Sequence, residues 1–100
     1  MATYWLTFRI HDTGNPDARR DALYEAIGKV TSEWWVEPTS FIAFDSGSDI
    51  DSLAAKAKSV INTNVDLVLI GMTDYKSARL VGSSDDFKTL LKLFPFVKRV

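Results

Sequence analysis

The chain of 100 residues has no cysteine and a single histidine, His11, which together exclude several kinds of chemistry. Without cysteine there is no redox pair, no thiolate nucleophile and no cysteine-based zinc site. Neither a G-x-x-x-x-G-K-[ST] loop nor a G-x-G-x-x-G fingerprint occurs, and no serine lies in a G-x-S-x-G motif. We therefore expect no nucleotide cofactor, no resident metal and no serine or cysteine hydrolase.

An excess of charge and a long apolar run are missing as well. Twelve Lys and Arg against thirteen Asp and Glu give a net charge of −1, so no overall field favours nucleic acid or an anionic membrane. The longest apolar run, residues 67–72, is far too short to cross a membrane. The N-terminus has no basic segment followed by an apolar one. We expect one cytoplasmic domain over residues 1–100.

The hydrophobic periodicity predicts a β-α-β-β-α-β order of elements. Residues 4–10 alternate as a strand does, and Asn15 before Pro16 is typical of a helix start. Ser48 and Asp51 form the pattern of a capping box. The predicted elements are a strand over 4–10, a helix over 16–31, a hairpin of 33–37 and 41–45, a helix that follows Ser48, and a strand over 66–72. This order is that of the ferredoxin-like split βαββαβ fold, an α+β class with an antiparallel sheet.

The last quarter of the chain extends beyond that unit. Residues 78–81 are predicted as a short extra strand. Ser83 and Asp86 repeat the capping-box pattern before a third helix, which Pro95 ends. We therefore expect a core over about 3–73 and a C-terminal extension over about 74–100.

Two strands are apolar on both faces, which predicts that something covers the second face of the sheet. Residues 41–44 and 67–70 show no alternation, whereas an antiparallel sheet with one wet face should alternate. The C-terminal extension could cover this face within the monomer, but a second copy of the chain is the favoured partner. The residues expected at a homodimer contact are Trp5, Phe41, Ala43 and Tyr75.

Dispersed segments of the sequence resemble the SinR-like and Cas-two-like proteins, small relatives of the CRISPR-associated endonuclease and integration-scaffold subunit. The resemblance lies in the opening strand Tyr4-Trp5-Leu6-Thr7-Phe8, the helix segment Leu23-Tyr24-Glu25-Ala26-Ile27, the pair Trp34-Trp35, the strand Ser40-Phe41-Ile42-Ala43-Phe44, and residues 67–73 with Asp74-Tyr75. It spans most of residues 3–81 and implies a ferredoxin-like homodimer.

The resemblance also implies where catalysis would take place. The nuclease relatives carry an aspartate near the end of the first strand, and the two subunits hold a divalent metal jointly there. The matching position here is Arg9, whose guanidinium cannot ligate Mg²⁺. Asp12 is the nearby carboxylate that could replace it, and His11 beside it could act as a general base. The alternative interpretation is that both residues only turn the chain.

Three functions remain open from the sequence. The leading hypothesis is a non-catalytic homodimeric interaction or regulatory module of the Cas-two-like type, with nucleic acid as one candidate partner. The alternatives are a metal-dependent endonuclease that uses Asp12, and a regulatory module that binds a small ligand. The basic residues considered for phosphate contacts are Arg9, Arg19, Arg20, Lys76 and Arg79.

Overall fold

The computed structural model describes residues 1–72, 78–80 and 84–99. These residues form an α+β fold with three helices and a four-stranded antiparallel sheet. In chain order the elements are β1 (Ala2–Arg9), α1 (Pro16–Gly28), β2 (Thr31–Trp35), β3 (Phe41–Ser46), α2 (Ile50–Val60), β4 (Leu67–Met72), β5 (Ala78–Leu80), α3 (Phe87–Leu93) and β6 (Val97–Arg99).

The four-stranded sheet has the strand order β2-β3-β1-β4. β1 lies inside it and pairs antiparallel with β3 on one side and with β4 on the other. β2 and β3 form the expected hairpin, although β2 begins and ends two residues earlier than the sequence predicts. The edges of this sheet are therefore β2 and β4.

One face of the sheet, which we call the helix face, carries Tyr4, Leu6 and Phe8 of β1. Alternation along β1 buries these three side chains and turns their neighbours to the opposite face. α1 and α2 pack on the helix face through apolar stripes at helical spacing. The fully or nearly fully buried residues of this first cluster are Tyr4, Leu6, Phe8, Leu23, Ile27, Ile42, Phe44, Leu53 and Ala57.

The opposite side of the sheet, which we call the far face, carries Trp5, Thr7 and Arg9 of β1. Its β2–β3 half is covered by the C-terminal extension of the same chain. β5 and β6 pair in parallel with α3 between them along the chain, and this small unit packs on the sheet. The second cluster consists of Trp35, Ala43, Leu90, Leu93 and Val97, with Phe41, Ala78, Leu80, Phe87 and Phe94 packed against it.

Several element boundaries differ from the sequence-based ones for local reasons. α1 ends at Gly28, not at Thr31, because Thr31 already pairs with β3 at the start of β2. Asp49 caps α2 in place of Ser48, and its carboxylate accepts a 2.7 Å hydrogen bond from the Ser52 backbone. The backbone of Ser48 is occupied elsewhere, since its carbonyl accepts the Tyr4 hydroxyl at 2.9 Å.

The C-terminal elements agree with the sequence except for one strand. α3 lies where the third helix is predicted, and Asp86 is its N-cap, while Ser83 and Val81 lie outside the described residues. β6 is the unpredicted strand. It begins only a short turn after α3 ends, and its three residues are too few to show alternation.

Candidate interaction surface

The turn after β1 places both candidate catalytic residues in solvent. His11 and Asp12 are exposed, and Nδ1 of His11 lies 3.1 Å from the Thr13 hydroxyl. Within residues 1–72, 78–80 and 84–99, no three His, Asp or Glu residues are grouped so that they could hold a metal ion. The turn therefore presents two separate polar side chains and no ligand cluster.

Among the described residues, Arg19 and Asp66 form the charged pair with the most hydrogen bonds. Nε of Arg19 donates to Oδ2 of Asp66 at 2.9 Å, and the Asp66 side chain has no exposed surface. Asp66 also accepts 2.8 Å hydrogen bonds from the backbone N–H of His11 and of Asn62. This carboxylate therefore ties the end of β1 to the turn that precedes β4.

The remaining nitrogens of the Arg19 guanidinium hold the turn after β1 in place. Its Nη1 donates to the Thr13 carbonyl and its Nη2 to the His11 carbonyl, both at 2.9 Å. The side chain is only 16% exposed. All three guanidinium nitrogens are thus used within the chain, which removes Arg19 from the set of residues free to contact phosphate.

The pKa of Asp66 reflects this arrangement. Burial alone would raise the pKa, but the hydrogen bond from Arg19, the two backbone N–H groups and the Arg19 charge together lower it to about 2. A lowered native pKa means that protonation favours the unfolded chain.

We expect acid to destabilise the fold through Asp66. The stabilisation is complete above the ordinary carboxyl pKa of 3.8 and is lost as the pH falls from there through about 2. Urea unfolding measured at a series of acidic pH values should show this loss in the wild type and a shallower one in Asp66→Asn. Asp17→Asn, at an exposed carboxylate, is the control and should follow the wild type. Identical pH profiles for wild type and Asp66→Asn would contradict the prediction.

The other basic candidates lie on separate elements. Arg9 is exposed at the end of β1, and Arg20 on α1 is ion-paired with Asp17 at 2.9 Å. Arg79 lies on β5 and donates to the Ala78 carbonyl. Lys76 lies outside the described residues. Arg79 pairs in register with Lys98 of β6 and both are exposed, so some positive charge gathers on the C-terminal strands, while Arg9 and Arg20 lie on other elements.

The four expected dimer residues have different environments. Ala43 is fully buried and Phe41 partly buried beneath the C-terminal extension, so this half of the far face is covered within the chain. The physical reason is that α3 and β6 supply Leu90, Leu93 and Val97 to the far face. Tyr75 lies outside the described residues, and Trp5 remains on the part of the far face that belongs to β1 and β4.

Trp5 lies directly over Gly71 of the neighbouring strand. A Cβ atom placed on Gly71 would lie 2.5 Å from Cζ2 of Trp5, so only glycine allows the indole to rest there. Beside it, Leu67 and Leu69 of β4 are 43% and 56% exposed. We call Trp5, Leu67 and Leu69 the apolar strip. Trp5 is partly buried, and the two exposed leucines beside it are typical of a contact surface.

The sequence indicates neither the buried role of Asp66 nor the contacts of a second carboxylate, Glu37, which follows β2. It accepts hydrogen bonds from the Ser84 hydroxyl and from the backbone N–H groups of Asp85 and Asp86, just before α3. These hydrogen bonds, the one from Ser84 first, lower the pKa of Glu37. Glu37 therefore attaches the C-terminal extension to the hairpin. No local pattern indicates such a contact between residues so far apart in the sequence.

Comparisons with known proteins leave the fold and these surfaces as the basis for assigning a function. No model of a known protein family matches the chain, and no curated protein matches its sequence. Among the residues that the structure describes, none belongs to a helix long and apolar enough to cross a membrane.

Proposed function

We propose that this chain is a non-catalytic homodimeric interaction module with a ferredoxin-like split βαββαβ fold, of the Cas-two-like type. The observation that carries the proposal is the apolar strip on the far face, formed by Trp5, Leu67 and Leu69. Two copies related by a two-fold axis can cover this strip reciprocally.

The strand order supports the fold part of the proposal. α1 connects β1 to β2, and α2 connects β3 to β4, while in each case another strand lies between the two connected strands. Both helices pack on the same face. This split βαβ connection occurs twice and supports the proposal of a ferredoxin-like fold, for which the arrangement is typical.

The chemistry around β1 favours a module without catalysis. Arg9 carries a fixed positive charge at the strand end where the resemblance to the nuclease relatives places a metal ligand, and such a charge repels a divalent cation. Asp12 is exposed in the turn beyond it and belongs to no group of potential ligands within the described residues. Near β1, Arg9 and Arg20 lie on different elements and Arg20 is ion-paired with Asp17. This favours a protein partner over nucleic acid for this part of the surface, since phosphate contacts need positive charge gathered on one face.

Leu69→Lys should convert the dimer to a monomer without unfolding it. The lysine would bring a charge into the centre of the proposed contact, and its long side chain can remain in solvent in the monomer. Light scattering coupled to gel filtration, at about 100 µM protein, measures the mass directly.

The matched control for this experiment is Leu91→Lys on α3. Leu91 is also exposed, at 42%, but lies outside the apolar strip. We expect this variant to remain a dimer. Two results would contradict the proposed dimer surface: a wild type that is monomeric at this protein concentration, or equal dissociation of the dimer by both substitutions.

A further inference from the structure

The outer edge of β4 presents backbone groups in a register that the sheet determines. The backbone N–H of Phe8 donates to the Ser40 carbonyl, so the backbone groups of Phe8 point toward β3. In an antiparallel strand the N–H and C=O groups of successive residues point to opposite sides. The backbone groups of Thr7 and Arg9 therefore point toward β4, where their partners are Leu69 and Leu67. By the same alternation, the backbone groups of Val68, Ile70 and Met72 point outward from the sheet.

The side chains of Val68 and Ile70 lie beside a groove on the helix face. Val68 and Ile70 form one wall, and Ala54 and Ala57 of α2 form the other. The groove has a volume of about 280 Å³. It exists because α2 has small residues where it faces β4, so the helix and the edge strand do not close against each other.

One charged side chain at the end of the groove makes no ion pair with any residue that the structure describes. Lys58, in the last turn of α2, lines the groove together with Thr63 and Leu67, near the start of β4. No ion pair within the described residues involves Lys58. Asp66, the other charged residue of the lining, is neutralised by Arg19. The groove is therefore apolar along its length and positive at the end where β4 begins.

We propose that the groove between β4 and α2 binds an extended peptide of a partner protein by strand addition. The backbone of the peptide pairs antiparallel with the outward groups of Val68, Ile70 and Met72, and every second side chain enters the apolar groove. Because an antiparallel strand ends where β4 begins, a carboxylate at the C-terminal end of the peptide meets Lys58. The partner is thus an apolar β-forming segment with an acidic residue or a free carboxylate at its C-terminal end.

This surface meets the proposed dimer contact only at Leu67, at the start of β4. The apolar walls of the groove lie on the helix face, whereas the apolar strip lies on the far face. Lys58 and Leu69 each belong to one of the two surfaces alone. Substitutions in the strip and in the groove therefore separate the two proposals.

The test uses the full chain and an eight-residue peptide of alternating valine and threonine that ends in aspartate with a free carboxylate. Titration followed by amide nuclear magnetic resonance should give saturable shifts and slowed hydrogen exchange at Val68, Ile70 and Met72. The amides of Leu67 and Leu69, already bonded to β1, should exchange slowly throughout. Replacing the peptide's final residue with threonine amide, or introducing Lys58→Glu, should weaken binding about three- to fivefold, the size expected for one exposed ion pair.

Lys56→Glu is the matched control, since Lys56 is exposed on the same helix but does not line the groove. We expect it to leave the affinity unchanged. Three results would overturn the proposal: no saturable shift with peptide up to about 1 mM, equal effects of the two charge reversals, or protection of Val68 and Ile70 in the free protein. Protection without peptide would mean that a second copy already occupies the edge.

Discussion

Asp66→Ala is expected to lower the free energy of unfolding by about 3–5 kcal/mol, the cost of leaving one partner of a buried ion pair alone. The substitution would leave Arg19, which is only 16% exposed, with no carboxylate. It would also leave the backbone N–H groups of His11 and Asn62 without their acceptor. Denaturation in urea, monitored by tryptophan fluorescence, gives the value.

The control for this effect is the exposed pair of Asp17 and Arg20 on α1. Asp17 is 89% exposed, and Asp17→Ala should change the free energy of unfolding by less than about 1 kcal/mol. If Asp66→Ala cost no more than Asp17→Ala, the Arg19–Asp66 pair would not stabilise the two turns. The double variant Arg19→Ala with Asp66→Ala should cost less than the sum of the single changes, because each removes the same interaction.

Leu53→Ala should destabilise the fold by about 2–5 kcal/mol, the range for truncating a buried leucine. Leu53 lies on α2, has no exposed surface and packs against the helix face of the sheet. Its removal leaves a cavity that the surrounding strands cannot fill. The midpoint and slope of chemical denaturation measure the loss.

Leu91→Ala provides the comparison for a leucine that remains in solvent. Leu91 is 42% exposed on α3, and its truncation should cost less than about 0.5 kcal/mol. A similarly small effect for Leu53→Ala would contradict the assignment of α2 to the core.

The sequence predicts the main elements well because most of them are defined by local periodicity. Leu6 and Phe8 alternate with polar or far-face residues along β1, and Leu53 and Ala57 repeat at helical spacing along α2. Such patterns depend only on neighbouring residues. The ends of the elements are less well predicted, since a boundary such as that of α1 depends on where β2 pairs with β3.

The features of the candidate site depend on contacts between residues far apart in the sequence, and hydrophobic periodicity does not predict such contacts. The sequence around Arg19 predicts an exposed cation on an amphipathic helix. In the structure Arg19 is bonded to Asp66, which is 47 positions away along the chain. Phe41 and Ala43 indicate correctly that the far face needs a cover, but composition does not decide between the chain's own extension and a second copy. The groove beside β4 likewise depends on how far α2 lies from the edge strand.

The cover of the far face has a consequence for synthesis on the ribosome. Trp35, Phe41 and Ala43 leave the ribosome before Leu90, Leu93 and Val97, which cover them in the folded protein. A nascent chain whose first four strands have emerged therefore exposes an aromatic surface until α3 and β6 have emerged as well. During that interval the exposed apolar surface makes the growing chain prone to aggregation.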